Sequence, residues 1–473
     1  MNDAMTLSGV LPWLTDATLV GNGAVGVQRV HTDTRTLQAG DLFVALRGER
    51  FDGSDFLIEA RVKGAVAALC QGDALARLQA SGLPGVMVPD VKCALAQLAT
   101  GWRAQFKLPL IAVTGSNGKT TVTQMIASIL QAFKPGAVLA TQGNFNNEIG
   151  VPLTVLRLRA EHQVAVVELG MNHPGEIATL AAIAQPTVAL VNNAQREHLE
   201  FMATVEAVAL ENGSVIDALP GNGVAVFPQD DAFTPLWLAR AAQRATLCFG
   251  MDQTQGSPDV LCQSAEWSGD RWQVAADTPV GDLKYALHIA GLHNVRNSLA
   301  AACCALAAGV PLSAIATGLS AFEPVKGRSR AITLRCDGKA LTVVDDTYNA
   351  NPDSVRAAVA VLASLPGPRL LVLGDMGEVG DQGSAFHAQA GREAHAAGID
   401  RLMTLGEASA AASDQFHGGR HFASVQSLNA AVLAALPHMG SVLVKGSRFM
   451  KMERVVQAIT SAVSSEKEET HAA

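Results

Sequence analysis

The run Ile111-Ala-Val-Thr-Gly115-Ser-Asn-Gly118-Lys119-Thr120-Thr121 constrains the fold more than any other part of the chain. A buried-strand stretch leads into a glycine-rich turn, and a helix is predicted over Val122–Phe133. Strand, tight turn and helix in that order form a βα unit, the building block of α/β proteins with a parallel sheet. The turn also carries chemistry. Successive backbone N–H groups of Gly115, Ser116, Asn117 and Gly118 form an anion nest at a helix N-terminus. Lys119 is then placed to reach β- and γ-phosphates, and the Thr120 hydroxyl to ligate Mg2+, with Thr121 next to it. The general phosphate-loop pattern G-x-x-x-x-G-K-[ST] has a glycine where this chain has Val113, so the loop is a compact T-G-S-N-G-K-T-T. The plain alternative is a glycine-rich turn with a surface lysine; the strand–turn–helix context favours phosphate.

Composition bounds the rest. With 473 residues, 49% apolar and 16% charged, the chain is not disordered, and at about 100–200 residues per domain it predicts two to four domains, each with its own core. A net charge of −8 argues against a nucleic-acid binder working by broad phosphate neutralisation, but not against a local phosphate site. The seven cysteines contain no C-x-x-C pair, which reads as reduced thiols in a cytosolic protein. MNDAMTLSGVLPWL has no basic n-region, so no signal peptide is expected. The most membrane-like run, Leu299–Ala308, is broken by Gly309 and Pro311 and is about half the length a span needs. A cytoplasmic protein without membrane insertion is expected.

Three segments follow from texture. Residues 1–108 mix short strands (LFVAL, AVAALC, GVMV) with Ala/Leu helices. From 109 to 322, apolar runs LIAVT, AVLAT, VAVVEL, TVALVN and GVAVF alternate with helices, the mark of a parallel sheet covered on both faces. Within it, residues 258–290 alternate as antiparallel strands do, and His293–Ala308 reads as a helix. After Glu323-Pro324 the rhythm restarts over 323–473 with LTVVDD, RLLVLGD, RLMTLG and SVLVKG, a second parallel α/β domain ending in the solvated tail SSEKEETHAA.

Further candidate residues lie at strand ends. Glu168 closes VAVVE, and His198 follows TVALVNN; a carboxylate and an imidazole there could hold a second Mg2+ at the ligand-binding edge of the sheet. Each alone reads as a helix cap or a loop histidine. Asn294, opening a helix, suits a cap and equally an adenine edge. Asp345 and Asp346 end a strand and must meet solvent, cations or hydroxyls. Arg328 and Arg330 are natural phosphate partners across a cleft, or solvated linker charges. Lys445 and Arg448, around a strand-end glycine, suit a carboxylate.

These motifs, in this order, resemble the Mur ligase family of ATP-dependent amide-forming enzymes. The likeness covers TDTR with GDLFVALRGERFDG, TGSNGKTT, GNFNNEIGVPLTVLRL, VVELGMNHPGEI, GLHNVRNSLAA, DDTYNANPDSV, LGDMGE and LVKGSR. It implies three α/β domains: a smaller mixed α/β domain binding a UDP-linked substrate, a central P-loop ATPase-type domain with a mostly parallel sheet, and a Rossmann-like C-terminal domain closing over the site. It also implies ATP and Mg2+. GNFNNEIG, ELGMNHPGEI and DDTYNANP point to the branch that adds D-Ala-D-Ala to UDP-MurNAc-tripeptide through an acyl phosphate, and a monomer is expected. By position, Lys119 would neutralise phosphoryl charge, Thr120, Glu168 and His198 would serve metal, and Arg328 would meet phosphates. Asn294 would meet adenine, and Asp346 the ribose. Asp33 and Arg35 would lie near the uridine nucleotide. Asn144, Asn146, Asn147, Asn349, Asn351, Lys445 and Arg448 would bind substrate.

One departure stands out. Most of the family carries a lysine about a dozen residues past the metal-site histidine, carbamylated to help hold Mg2+. This chain has Asn212 there, and no lysine anywhere from 135 to 283. Glu211, one residue away, could replace the carbamate directly or through water, or be a solvated helix acid; Asn212 could hold that water. Tyr348 also sits where some sister ligases have a lysine. The alternatives are another Mur ligase, a folylpolyglutamate synthase, which would not need the TDTR and GERFDG segment, and a non-catalytic nucleotide-binding homologue.

Overall fold

Leu110–Thr114, wholly buried, is the pivot of the molecule. In a computed structural model that describes residues 5–469 apart from 198, 255, 269 and 270, this strand lies inside a nine-stranded sheet. Val164–Glu168 flanks it on one side and Val188–Val191 on the other, both parallel to it. Beyond them lie Val138–Ala140 on one edge, and Val224–Pro228, Ala245–Gly250 and Val260–Ser268 on the other. The near-continuous apolar runs are therefore central parallel strands buried on both faces. The antiparallel expectation for 258–290 also holds: Val260–Ser268, Arg271–Thr278 and Gly281–Leu287 form a meander on that sheet. Because the chain order reverses around Leu110–Thr114, the loops after three adjacent strands open onto one crevice, where open α/β sheets bind ligands.

The N-terminal segment builds a five-stranded sheet from Thr18–Val20, Gly85–Val88, Ala67–Gln71, Asp41–Val44 and Arg29–His31. Its last helix, Val91–Arg103, starts at an Asp90 cap. That helix buries Leu95, Leu98 and Trp102 in a core continuous with the central domain. Trp102 Nε1 donates to the Leu158 carbonyl, and buried Arg103 spends its guanidinium on the carbonyls of Phe106, Leu108, Ala184 and Gln185.

The C-terminal segment is a six-stranded sheet. The hairpin Arg330–Cys336/Lys339–Asp346 is followed by Ser441–Lys445, Arg369–Gly374, Arg401–Leu405 and Arg420–Phe422, parallel to its second strand. The helix Glu453–Glu469 runs into the segment expected as a solvated tail, and ahead of that segment its apolar face, Val455, Ile459 and Val463, is buried. Residues 470–473 lie outside the described residues. Among the described residues no helix is long and apolar enough to cross a membrane.

Candidate active site

The predicted cradle forms. Gly118 precedes the helix Lys119–Phe133, which starts earlier than expected. Gly118 has φ +81°, and a Cβ there would stand 2.7 Å from Asn297 Oδ1. Gly115, at φ +133°, would drive a Cβ to 3.0 Å from the Asn193 backbone. Both positions need glycine, because the loop after Val188–Val191 crosses directly behind the turn and, at Gly118, Asn297 of the helix Leu292–Ala307 closes in as well. That loop is bonded to it throughout. Ser116 N donates to Asn193 O, Asn117 N to Asn193 Oδ1, and Asn117 Nδ2 to Gln195 Oε1 at 2.6 Å. The first helical N–H groups have no intrahelical acceptor and face the crevice.

Lys119 Nζ is held by the Gly115 and Ser116 carbonyls, at 2.6 and 3.1 Å, and by Glu197 Oε1 at 2.8 Å. Glu197 is not among the residues that the motifs single out; its one local signal is a carboxylate next to the candidate His198, after a strand end at the ligand-binding edge of the sheet. His198 itself lies outside the described residues.

Glu168 is 2% exposed. Its Oε1 accepts from Thr120 Oγ1 at 3.1 Å and from Asn146 Nδ2 at 2.7 Å. Its Oε2 is buried without a hydrogen-bond partner among the described residues. A desolvated carboxylate oxygen left open costs energy unless something cationic meets it. Together with the Thr120 hydroxyl it offers the hard oxygen donors a divalent cation takes. The residues present therefore fit Mg2+, although among the described residues no group of three His, Cys, Asp or Glu side chains converges.

Neither replacement for the missing lysine lines the cleft. Glu211 is buried, not solvated. Its two oxygens accept from Gly175 N and Ile177 N at 2.8 Å each, capping the helix Glu176–Ala184. Asn212, fully buried, accepts at Oδ1 from Thr114 Oγ1 at 2.7 Å. The helix Val205–Gly213 turns both side chains into the fold rather than the crevice.

Asn294 is not a cap. Gly291 holds that position, and Asn294 Nδ2 turns back onto the Ala290 carbonyl at 2.7 Å. Its Oδ1 accepts from Asn297 Nδ2, and Asn297 Oδ1 accepts from Asn192 Nδ2, which also bonds Asn117 O. A line of amides thus ties Asn294 to the cradle.

The C-terminal domain faces the cradle across a cleft of about 1360 Å³. Asp346 and Lys445 are register partners, joined at 2.6 Å, so Lys445, 3% exposed, holds this chain's own carboxylate as well as the Asn349 carbonyl. Asp345 accepts from Gly327 N and Thr347 Oγ1, and Asp346 from Ser329 N. These bonds fix the turn that carries Arg328, whose guanidinium stacks 4.0 Å from the Tyr348 ring centre. Arg330 begins a strand and does not line the cleft. Asn351 caps the helix Pro352–Ser364 and donates to Asn117 Oδ1 at 2.9 Å, so the two domains touch at the cradle.

The remaining residues divide. Asn146, Asn147 and Asn349 line the cleft, with Asn147 Oδ1 spent on Ile149 N and Gly150 N. Asn144 and Arg448 do not line it; Arg448 pairs with Glu453 at 3.0 Å. Asp33, half-buried, and Arg35, exposed, lie away from it in the N-terminal domain and bond each other, the guanidinium holding the Asp33 carboxyl at about 2.

Comparison with known proteins agrees with this geometry. The Mur ligase family catalytic domain matches residues 26–103, the Mur ligase middle domain 113–305, and the Mur ligase glutamate ligase domain 327–448. UDP-N-acetylmuramoyl-tripeptide–D-alanyl-D-alanine ligase of Escherichia coli K12 is 40% identical over 437 residues, covering 92% of this chain and 94% of that protein. The chain belongs to the Mur ligase family. Among solved structures, this Mur ligase is similar to MurF from Acinetobacter baumannii, with TM-score 0.87, 34% identity and coverage of 96% and 98% of the two chains. It is also similar to Thermotoga maritima MurF ligase in complex with ADP, with TM-score 0.79, 25% identity and coverage of 93% and 98%.

Proposed function

We propose that this Mur ligase joins D-alanyl-D-alanine to UDP-N-acetylmuramoyl-tripeptide at the expense of ATP, in peptidoglycan precursor synthesis. The observation that carries the reading is the single cleft in which the phosphate cradle, with Lys119 and Glu168, faces Arg328, Asp346 and Lys445 of the second domain. The N-terminal domain supports a UDP-linked substrate, which a folylpolyglutamate synthase would not need. The proposed units are 1–108 for the UDP-substrate, 109–322 for ATP and 323–473 as the Rossmann-like ligase domain, in a cytoplasmic monomer.

A carboxylate acylates an amine poorly at neutral pH, so it must gain a leaving group. The tripeptide's terminal carboxylate oxygen attacks the γ-phosphorus, ADP leaves, and an acyl phosphate results. The D-Ala-D-Ala amine attacks its carbonyl carbon, releases a proton, and expels phosphate to leave the amide. The chain's own task is positioning and charge stabilisation. Lys119 exchanges its carbonyl partners for phosphate oxygens. Arg328, stiffened by Tyr348, meets phosphate from the other wall. Asn294 meets adenine and Asp346 the ribose. Thr120, Glu168 and His198 would hold Mg2+, which supplies charge neutralisation on the polyphosphate.

The test is ADP release with ATP, Mg2+ and UDP-MurNAc-tripeptide, with and without D-Ala-D-Ala. Sustained release that requires both substrates, with a pentapeptide product, is expected. Release indifferent to D-Ala-D-Ala, or none, overturns the proposal.

A further inference from the structure

Arg196 leaves the central domain. It sits between Gln195, whose side chain bonds the cradle residue Asn117, and Glu197, which bonds Lys119. Its own guanidinium reaches the C-terminal domain. Arg196 N and Nε donate to Asp353 Oδ2 at 2.9 and 3.1 Å, and Nη2 to Oδ1 at 2.8 Å. Nη1 reaches Gln389 Oε1 at 3.3 Å, and the guanidinium lies 5.4 Å from the Phe386 ring centre. Asp353 is buried in the first turn of Pro352–Ser364, two residues after Asn351, which itself bonds Asn117. A single helix start in the second domain thus grips both the cradle and the loop that holds Lys119.

The chemistry of the grip is directional. A forked, charge-assisted pair fixes orientation as well as distance. A carboxylate at a helix N-terminus is favoured there. A partly buried pair of this kind also leaves an uncompensated charge when either partner is removed. Residues 195–197 are too short a link to absorb a shift of Arg196 without moving Glu197.

We propose that Asp353 and Arg196 are a positioning pair: docking of the C-terminal domain sets Lys119 through Glu197. The proposal rests on the ligase reading for what Lys119 does, not for where it is held. The pair makes ligation depend on docking, so that phosphoryl transfer is supported only when the second domain covers the site.

The experiment compares the full-length protein with Asp353→Asn, Arg196→Lys, Glu197→Gln and the double variant Asp353→Asn/Glu197→Gln. Asp353→Asn keeps shape and removes charge; Arg196→Lys keeps charge and removes the fork, so one survives if the other fails to fold. For each single pair variant kcat is expected to fall about tenfold or more, with KM for ATP within about threefold. The double variant is expected to be no worse than the poorer single by more than about twofold, the sign of action along one path. Amide hydrogen exchange over 114–121 in nucleotide-free protein is expected to quicken about tenfold in Asp353→Asn. Additive losses, a raised KM with unchanged kcat, or unchanged exchange over 114–121 each overturn the pair. If the wild type releases ADP without needing D-Ala-D-Ala, the ligase reading falls instead, and the exchange measurement still decides the pair.

Discussion

Thr114 Oγ1 donates a 2.7 Å hydrogen bond to Asn212 Oδ1, joining the last residue of the pivot strand to the position where most of the family carries a lysine. Asn212 is fully buried, and its Nδ2 has no hydrogen-bond partner among the described residues. The site is a structural brace, with no amine to carbamylate. Activity is therefore expected to be indifferent to bicarbonate. Stripping CO2 and titrating bicarbonate back checks this, and reversible activation of the wild type overturns it. Asn212→Lys would bury an ammonium without a carboxylate and is expected to cost about 3 kcal/mol or more in denaturant unfolding.

Glu211 gives a second prediction. Its carboxylate caps Glu176–Ala184 by accepting from Gly175 N and Ile177 N. Glu211→Gln keeps one acceptor and loses the charge at the helix N-terminus, so stability is expected to fall by about 1 kcal/mol. The Mg2+ dependence of turnover is expected to stay unchanged. A shifted Mg2+ dependence with unchanged stability would return Glu211 to the metal site.

The contrast between these residues and the cradle marks what a sequence can disclose. Gly115, Gly118 and Lys119 were legible because local chain geometry dictates them: a strand, a turn needing positive φ, and a helix start. The alternation that distinguishes parallel from antiparallel strands was legible for the same reason. Glu211, Asn212, Asn294 and Lys445 were not. Their partners, Gly175, Thr114, Ala290 and Asp346, are fixed by tertiary packing or cross-strand register, which no local pattern encodes. The Arg196–Asp353 pair is 157 residues apart in sequence and exists only because two domains meet.

His387 predicts a pH dependence of stability. It is fully buried in the C-terminal domain, accepting at Nε2 from Met376 N and bonding the Gly383 carbonyl through Nδ1. This is a neutral ring, and burial lowers its pKa from 6.5. Desolvation also lowers half-buried His293, at the cleft wall. The unfolded chain then binds protons the folded protein refuses, so stability is fully present above about pH 6.5 and is lost as pH falls below it. Denaturant unfolding between about pH 5 and 8 should show this slope, and His387→Gln should flatten it in part. An unaltered slope in that variant would mean that His387 does not contribute.

Lys119→Ala separates chemistry from folding. Removing the ammonium aimed at the transferring phosphoryl group is expected to lower kcat about a hundredfold or more. It also removes the 2.8 Å ion pair that Lys119 makes with buried Glu197, which is expected to cost about 1–3 kcal/mol of stability. The two effects come apart in the double variant Lys119→Ala/Glu197→Gln. Its carboxamide no longer needs a cation, so stability is expected to return towards the wild type while turnover stays lost. Thermal unfolding and ADP release on the same preparations supply both readings. If the double variant regains ligation together with stability, Lys119 serves the loop and not the phosphate. If a folded Lys119→Ala protein ligates near the wild-type rate, the cradle does not act on a phosphoryl group at all.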